Sequence, residues 1–215
     1  MTPRERILAA LDHRESDRVP IDLGSSIVTS ITRAAYEPLR AHLGLPAEEI
    51  VVYDEVQQLP YVGEDVLERF GVDTRMVQLP PTHVQGVEIV DEGEYYAMWD
   101  RALRIDLHGV DDVHADLDEV RDELEDCASM DSGALKRAYG DDIVFWGGGV
   151  DTQRVLPFGT PQEVRDEFKR HIDDFAPGGG FAFDTAHNIQ AFVPPENIEA
   201  AFDTALTSGA GTSAS

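Results

Sequence analysis

The segment that decides the fold spans residues 143–206 and reads IVFWGGGVDTQRVLPFGTPQEVRDEFKRHIDDFAPGGGFAFDTAHNIQAFVPPENIEAAFDTAL. It predicts a strand at 142–146, a helix at 161–175, a strand at 181–186 and a helix at 194–206. Thr160 can cap the first of these helices, Pro161 suits its first position, and Glu163 completes a capping box. Strands that alternate with capped helices predict an α/β fold with a parallel sheet and right-handed crossovers.

The residues upstream of this segment extend the pattern less regularly. Helices are predicted at 3–13, 29–43, 55–70 (kinked near Pro60) and 132–139, and strands at 18–24 and 72–79. Residues 82–106 are typical of a hairpin or irregular structure. Residues 107–127 are acidic and fit either an exposed amphipathic helix or a poorly packed segment.

The charge of the chain limits the classes of molecule that it can bind and indicates the salt concentration to which it is adapted. Of 215 residues, 17 are Lys or Arg and 42 are Asp or Glu, which gives a formal net charge of −25. Such a surface repels phosphate backbones and anionic membranes, so we expect neither nucleic acid nor a membrane as a partner. Dispersed acids with few lysines are typical of a protein adapted to high salt, where screening relieves the self-repulsion. The alternative is an ordinary acidic protein.

The apolar pattern and the cysteine content favour a soluble, cytoplasmic protein. The longest apolar runs, such as residues 143–146, are far shorter than the roughly 18 residues that span a bilayer. The N-terminus has no apolar segment like that of a signal peptide. The single cysteine, Cys127, excludes an intrachain disulfide and an all-cysteine zinc site.

Two loops that follow predicted strands carry the candidate binding residues. In parallel α/β sheets, ligands meet the loops at the carboxyl ends of the strands. Gly147 and Gly148 would let the backbone approach a ligand closely, and Asp151 and Gln153 would supply polar contacts. The alternative for the glycines is a tight turn that requires positive φ. The stretch lacks the spacing of a phosphate-binding loop.

The second loop carries the candidate catalytic residue, His187. A histidine at this position can move protons near neutral pH, and Asn188 and Gln190 beside it can bind substrate. Asp22, on the first strand, is a further candidate for substrate binding. The alternative roles are a structural histidine for His187 and a loop cap for Asp22. No metal site is predicted, because the spacing of His108 and His114 fits no zinc motif.

Several stretches resemble the uroporphyrinogen decarboxylase superfamily, which includes corrinoid-dependent methyltransferases on a (β/α)₈ barrel. These stretches are TPRERILAAL at 2–11, DRVPID at 17–22, ALKRAYG at 134–140, FWGG at 145–148 and HNIQAFVPPEN at 187–197. By this resemblance, His187 matches an active-site position of the decarboxylase. A complete barrel needs about 250 residues. We therefore expect a truncated barrel of about four of the eight β/α units over residues 1–207, with a junction near 107–130 and a disordered tail at 208–215.

The resemblance implies tetrapyrrole- or corrinoid-linked chemistry, either methyl transfer or porphyrinogen decarboxylation. A corrinoid or zinc would be the cofactor that it suggests, although neither is required by the residues present. The arginines that hold the decarboxylase's substrate are replaced by Leu23, Gly24 and Ser25, and the net charge opposes a highly anionic substrate. Three hypotheses therefore stay open: a half-barrel enzyme that pairs as a homodimer, an inactive family remnant that serves as a binding module, and an incomplete product that folds poorly.

Overall fold

A computed structural model describes residues 1–77, 87–91, 96–100, 131–185 and 187–208. The chain divides into two compact units. One combines Met1–Val77 with Asp131–Ser215, and the other is Gln78–Met130. The prediction of a single domain over residues 1–207 stays a prediction, and the expected junction and most of the expected tail lie outside the described residues.

The first unit is mainly helical. Its helices are α1 (Pro3–Leu11), α2 (Arg33–His42), α3 (Glu64–Arg69), α4 (Ser132–Tyr139), α5 (Val155–Phe158), α6 (Pro161–Phe175) and α7 (Pro195–Thr207). Its strands are β1 (Val52–Asp54), β2 (Leu59–Pro60), β5 (Phe145–Trp146) and β6 (Phe181–Ala182). The second unit contains an antiparallel hairpin of β3 (Val87–Asp91) and β4 (Tyr96–Asp100).

Local sequence explains where the two best-defined helices begin. The Thr160 hydroxyl accepts from the Glu163 backbone N–H, and the Glu163 carboxylate accepts from the Thr160 backbone N–H. Thr2 and Glu5 make the same reciprocal pair at the start of α1. Each pair satisfies two N–H groups that the first turn of a helix leaves unbonded. The bounds predicted for α6 are confirmed to the residue, and so are those predicted for α4.

Backbone hydrogen bonds join the two ends of the chain in one row. β5 pairs in parallel with β6, with Trp146 opposite Ala182. The segment before Leu23 continues the row, because Ile21 forms a parallel bridge with Phe183. Residue 73 follows, since its N–H donates to the Ile21 carbonyl at 2.8 Å. The predicted parallel pairing of the last two strands is thus confirmed, although each strand is only two residues long.

Helices pack on one face of this row through aromatic side chains. The Phe183 ring lies edge-on to Phe168 of α6, with centroids 4.3 Å apart, and 5.2 Å from Phe202 of α7. Phe181, two residues earlier and on the same face, stacks on Phe175 with ring centroids 5.2 Å apart. Because side chains alternate along a strand, Asp22, Ala182 and Asp184 belong to the opposite face.

Several upstream predictions differ from the structure. The strand predicted at 18–24 is a single parallel bridge at Ile21, and the helix predicted at 29–43 begins only at Arg33. The helix predicted at 55–70 is instead a short β1–β2 hairpin followed by α3, because Pro60 lacks the N–H that a helix interior needs, and it ends β2. Of the strand predicted at 72–79, residues 72–77 form no regular strand, and residues 78 and 79 lie outside the described residues. The hairpin expected within 82–106 is confirmed as β3 and β4. The acidic segment 107–127 lies outside the described residues.

Candidate functional site

The candidate residues follow the carboxyl ends of neighbouring parallel strands. Asp22 follows the bridged residue Ile21 of the first segment, Trp146 ends β5 with Gly147 directly after it, and His187 follows β6 by five residues. Parallel strands bring their carboxyl ends to one edge of the sheet, where ligands bind in such folds. We call the residues Asp22, Trp146, Gly147, Gly148 and His187 the rim.

Asp22 is a buried carboxylate that is held by donors from three segments. It is only 2% exposed. Its Oδ2 accepts from the Ser25 hydroxyl at 2.7 Å and from the Trp146 indole Nε1 at 3.0 Å. Its Oδ1 accepts from the Thr74 hydroxyl at 2.5 Å. These hydrogen bonds satisfy a buried charge and fix the Trp146 ring in one orientation.

Trp146 presents an aromatic surface next to two glycines in the left-handed region. Its side chain is 40% exposed although its indole N–H is bonded to a buried carboxylate. Gly147 has φ of 104° and Gly148 has φ of 76°, so a side chain at either position would strain the backbone. A Cβ at Gly148 would meet nothing within 4 Å, which means that this turn leaves open space above the backbone.

The loop after this turn is organised by Asp151. Its Oδ1 accepts from the backbone N–H groups of Gln153 and Arg154 at 2.8 and 3.0 Å. The Asp151 N–H donates in turn to Oε2 of Glu167 on α6 at 3.1 Å. Burial raises the pKa of this Glu167 carboxyl. Asp151 therefore shapes the loop, while Gln153 is exposed.

In the loop after β6, one polar side chain is exposed to solvent and its neighbours are hydrogen-bonded within the protein. His187 is exposed, and its Nδ1 lies 3.4 Å from the Asn188 carbonyl. Asn188 is buried: its Oδ1 accepts from the Ser30 N–H at 2.9 Å, and its Nδ2 donates to the Ile27 carbonyl at 2.7 Å. Gln190 donates to the Asn188 carbonyl at 3.0 Å. In this structure Asn188 and Gln190 stabilise the loop and His187 is the side chain that faces solvent.

Among the residues that the structure describes, no group of three His, Cys, Asp or Glu side chains could hold a metal ion. Cys127, His108 and His114 lie outside the described residues. The described part of the chain also has no helix long and apolar enough to cross a membrane.

Comparison with known proteins adds the family. Residues 97–207 match the family model described as uroporphyrinogen decarboxylase (URO-D). The chain belongs to the uroporphyrinogen decarboxylase family. The predicted membership is therefore confirmed, and the TIM-barrel class of fold follows from the family.

Curated relatives of the URO-D chain match it over a limited length. It is 32% identical over 76 residues to uroporphyrinogen decarboxylase of Aromatoleum aromaticum, which is 35% of this chain and 20% of that protein. It is 29% identical over 94 residues to the same enzyme of Herminiimonas arsenicoxydans, which is 40% of this chain and 25% of that protein. The matched part thus spans a fifth to a quarter of these relatives. No solved structure matches the chain significantly.

Three residues of this URO-D family site were not among the sequence-based candidates. Trp146 was assigned to a strand, and Ser25 and Thr74 are hydroxyl residues with no motif around them. Thr74 and Trp146 contact Asp22 across 52 and 124 positions of sequence, whereas Ser25 contacts it from three positions away. The one available signal was the position of Trp146 directly before three glycines at a strand end, where a large apolar side chain need not be buried.

Proposed function

We propose that this chain binds a planar tetrapyrrole- or corrinoid-type molecule at the rim, with the Trp146 indole as the stacking surface. The observation that supports the proposal is an exposed indole held by a buried carboxylate beside an open glycine turn. A flat macrocycle gains dispersion and hydrophobic contact on an aromatic face, and a ring held in advance loses little conformational entropy on binding. The curated relatives are named for a reaction on uroporphyrinogen, which is a tetrapyrrole.

In this proposal the rim residues have different roles. Asp22 is a positioning residue, because it is buried and acts through Trp146 and not by touching the ligand. Gly147 and Gly148 give the ligand access to the backbone, and Gln153 and Gln190 supply polar contacts at the edge. Asp151 and Asn188 act by holding the two loops that carry Gln153 and His187.

His187 is proposed as the proton-transferring residue. A solvent-exposed imidazole can donate or accept a proton near neutral pH without a large desolvation cost. In a decarboxylation, such a group would protonate the carbon that loses CO₂. In methyl transfer, it would assist departure of the leaving group. The first reaction matches the names of the curated relatives, and it is the activity to assay first.

A second candidate function is binding without turnover, as in an inactive remnant. The fixed roles of Asp151 and Asn188 favour this candidate, because each of these polar side chains is already hydrogen-bonded within the protein. It differs from the first candidate in one respect only, which is whether His187 changes a bound ligand.

Titration with coproporphyrin in molar KCl tests the proposal. We expect the visible absorbance of the porphyrin to shift on addition of the wild-type chain. Trp146→Ala should weaken binding by about 1–3 kcal/mol, the range for a stacking contact. Asp22→Asn, which removes the charge but keeps the shape, should weaken binding less. Tyr139→Ala, an exposed aromatic that precedes β5 and so lies beyond the amino end of that strand, is the matched control. Equal affinity in wild type and Trp146→Ala would refute the proposed surface.

Turnover separates the two candidates. Incubation with uroporphyrinogen under reducing conditions, followed by chromatography of the products, should give partly decarboxylated porphyrins if the chain is an enzyme. His187→Ala should then abolish the products without altering coproporphyrin binding. Binding with no product would favour the binding module.

We also propose that the row of strands is an arc of about four units of a family barrel. Such an arc leaves two sheet edges open, and a second copy related by a two-fold axis would cover both. Light scattering after size exclusion in high salt tests this: a dimer supports closure by a second copy. A monomer or an aggregate contradicts it. Val77 is an exposed apolar residue four positions beyond residue 73 of the row, and Val77→Asp should convert the dimer to a monomer if that side of the row meets the second copy.

A further inference from the structure

Asp22 is a buried carboxylate whose hydrogen-bond donors are all uncharged. It is 2% exposed, and it accepts from the Ser25 hydroxyl, the Thr74 hydroxyl and the Trp146 indole N–H. Within the described part of the chain, its negative charge is therefore not balanced by an ion pair. A cation near this carboxylate would be attracted to it where water screens the interaction poorly.

Two basic residues lie close in sequence to the rim residues and their partners, and both interact with other carboxylates. Arg75 pairs with Glu64 at 2.5 Å. Arg154 interacts with Glu167 of α6, and α6 packs on the other face of the row. Three segments carry the rim residues, and each contains one aspartate and neither lysine nor arginine: 22–30, 146–153 and 182–193. Because charge of one sign lines it, the rim attracts cations and repels anions.

Trp146 supplies an aromatic face that can bind a cation. Tryptophan is the side chain whose ring attracts cations most strongly. Trp146 is 40% exposed, and the turn at Gly148 leaves open space above its backbone. The indole N–H donates to Asp22 at 3.0 Å. Because hydrogen bonds polarise the groups that they join, this bond makes the face of the ring more negative and a better partner for a cation.

The surroundings favour an organic cation over a metal ion. No group of three His, Cys, Asp or Glu side chains in the described segments could hold a metal. The loop that begins near Ser25 instead exposes two aliphatic side chains, since Ile27 is 51% exposed and Val28 is 56% exposed. Asn188 fixes the backbone of this loop by donating to the Ile27 carbonyl at 2.7 Å. An aromatic face beside apolar groups and a carboxylate suits a methylated ammonium.

We infer that the rim binds an organic cation with a methylated ammonium group, which lies over the Trp146 ring. Asp22 supplies the charge that attracts the cation and keeps the ring in place, without touching the ligand. Ile27 and Val28 supply apolar contact for the methyl groups. This class of ligand differs from the macrocycle proposed above, and its binding does not require that the macrocycle binds.

Two probes of the same shape test the inference. Choline carries a trimethylammonium group, and 3,3-dimethyl-1-butanol has the same skeleton with a carbon atom in place of the charged nitrogen. Binding to the full chain is followed by broadening of the methyl proton signal of each probe, at a constant molar concentration of KCl. Choline should bind about two- to fivefold more tightly than the alcohol, which is the effect of a cation on an exposed aromatic ring.

Three variants assign this preference to the rim. Trp146→Leu keeps an apolar side chain without a ring, so the two probes should bind it equally. Asp22→Asn should weaken choline binding and leave binding of the alcohol unchanged. Asp12→Asn is the matched control, because it also removes one negative charge. Asp12 is 62% exposed and precedes His13, which lies 2.9 Å from the Gly140 carbonyl before β5, at the amino end of the row.

The outcomes separate this inference from the macrocycle proposal. Equal binding of the two probes by the wild type, or a preference for choline that survives in Trp146→Leu, would overturn the inference. If Asp22→Asn fails to fold, Trp146→Leu still decides, because it changes a partly exposed side chain and its circular dichroism spectrum should match the wild type. Binding of coproporphyrin without binding of choline would overturn the inference and leave the macrocycle proposal in place.

Discussion

Asp73 connects residues 18–21 to the segment that follows α3, and we expect its loss to destabilise this connection most. Its side chain is fully buried and accepts from Arg6 Nη1 at 2.9 Å, Arg18 Nη1 at 2.6 Å and the Ile21 backbone N–H at 3.0 Å. Asp73→Asn keeps the shape but removes the charge that two largely buried guanidinium groups face. Arg6 retains Asp17 as a partner, whereas Arg18 retains only the Val19 and Gly71 carbonyls.

The expected loss follows from this asymmetry. Removing one partner of a buried ion pair costs about 3–5 kcal/mol, and the pairing retained by Arg6 places Asp73→Asn near the lower value, about 3 kcal/mol. At about 2–4 °C per kcal/mol for a chain of this size, the melting temperature should fall by about 6–12 °C. Chemical denaturation in constant molar KCl, followed by circular dichroism, measures the change in the free energy of unfolding.

Glu37→Gln is the matched control for this measurement. Glu37 pairs with Arg33 at 2.7 Å, and both side chains are about half exposed, so the loss should be under about 0.5 kcal/mol. The control also removes one negative charge, which separates general relief of repulsion from loss of the buried pair. If Asp73→Asn costs no more than Glu37→Gln, the assigned role of Asp73 is wrong.

Three further predictions concern pH, salt and packing. Burial lowers the pKa of His171 below the value of about 6.5 that it has in the unfolded chain. Between these two pKa values the unfolded chain binds more protons, so stability should fall as the pH drops below about 6.5. His171→Gln should flatten that part of a profile of melting temperature against pH. The net charge of −25 predicts that the melting temperature rises from dilute buffer to molar KCl; a flat or falling curve would end the halophile hypothesis. A Cβ at Gly149 would lie 2.4 to 2.5 Å from the Phe183 and Phe168 rings, so Gly149→Ala should cost about 1–3 kcal/mol in denaturation.

Local signals predicted the helices well and the interrupted strands poorly. The Thr-Pro-x-Glu pattern at 160–163 fixes the start of α6 through short-range hydrogen bonds, so sequence suffices there. The helix predicted across Pro60 failed because apolar spacing alone does not distinguish a short hairpin from a kinked helix. The pairing of Ile21 with Phe183 joins residues 162 positions apart, so no local pattern indicates it.

The sequence analysis placed the candidate residues in loops that follow strands, and the assignment of these residues to a site stays a prediction. The expectation that the loops after β5 and β6 follow neighbouring strands agrees with the pairing of Trp146 with Ala182. Sequence could not show that Asp22 is enclosed by Ser25, Thr74 and Trp146, because those partners come from three separate segments. It also could not distinguish the exposed His187 from the buried Asn188 next to it, since both are polar residues in one turn. The roles proposed for these residues stay predictions.

The indole N–H of Trp146 tests the central claim most directly. In a ¹⁵N–¹H spectrum of the full chain, assigned with Trp146→Phe, this resonance should exchange slowly with solvent because it donates to the buried Asp22 carboxylate. It should move in Asp22→Asn, and in the wild type it should move on addition of coproporphyrin. An indole resonance that exchanges rapidly and stays unchanged through both perturbations would contradict an orienting bond from Asp22 and a ligand seated on Trp146.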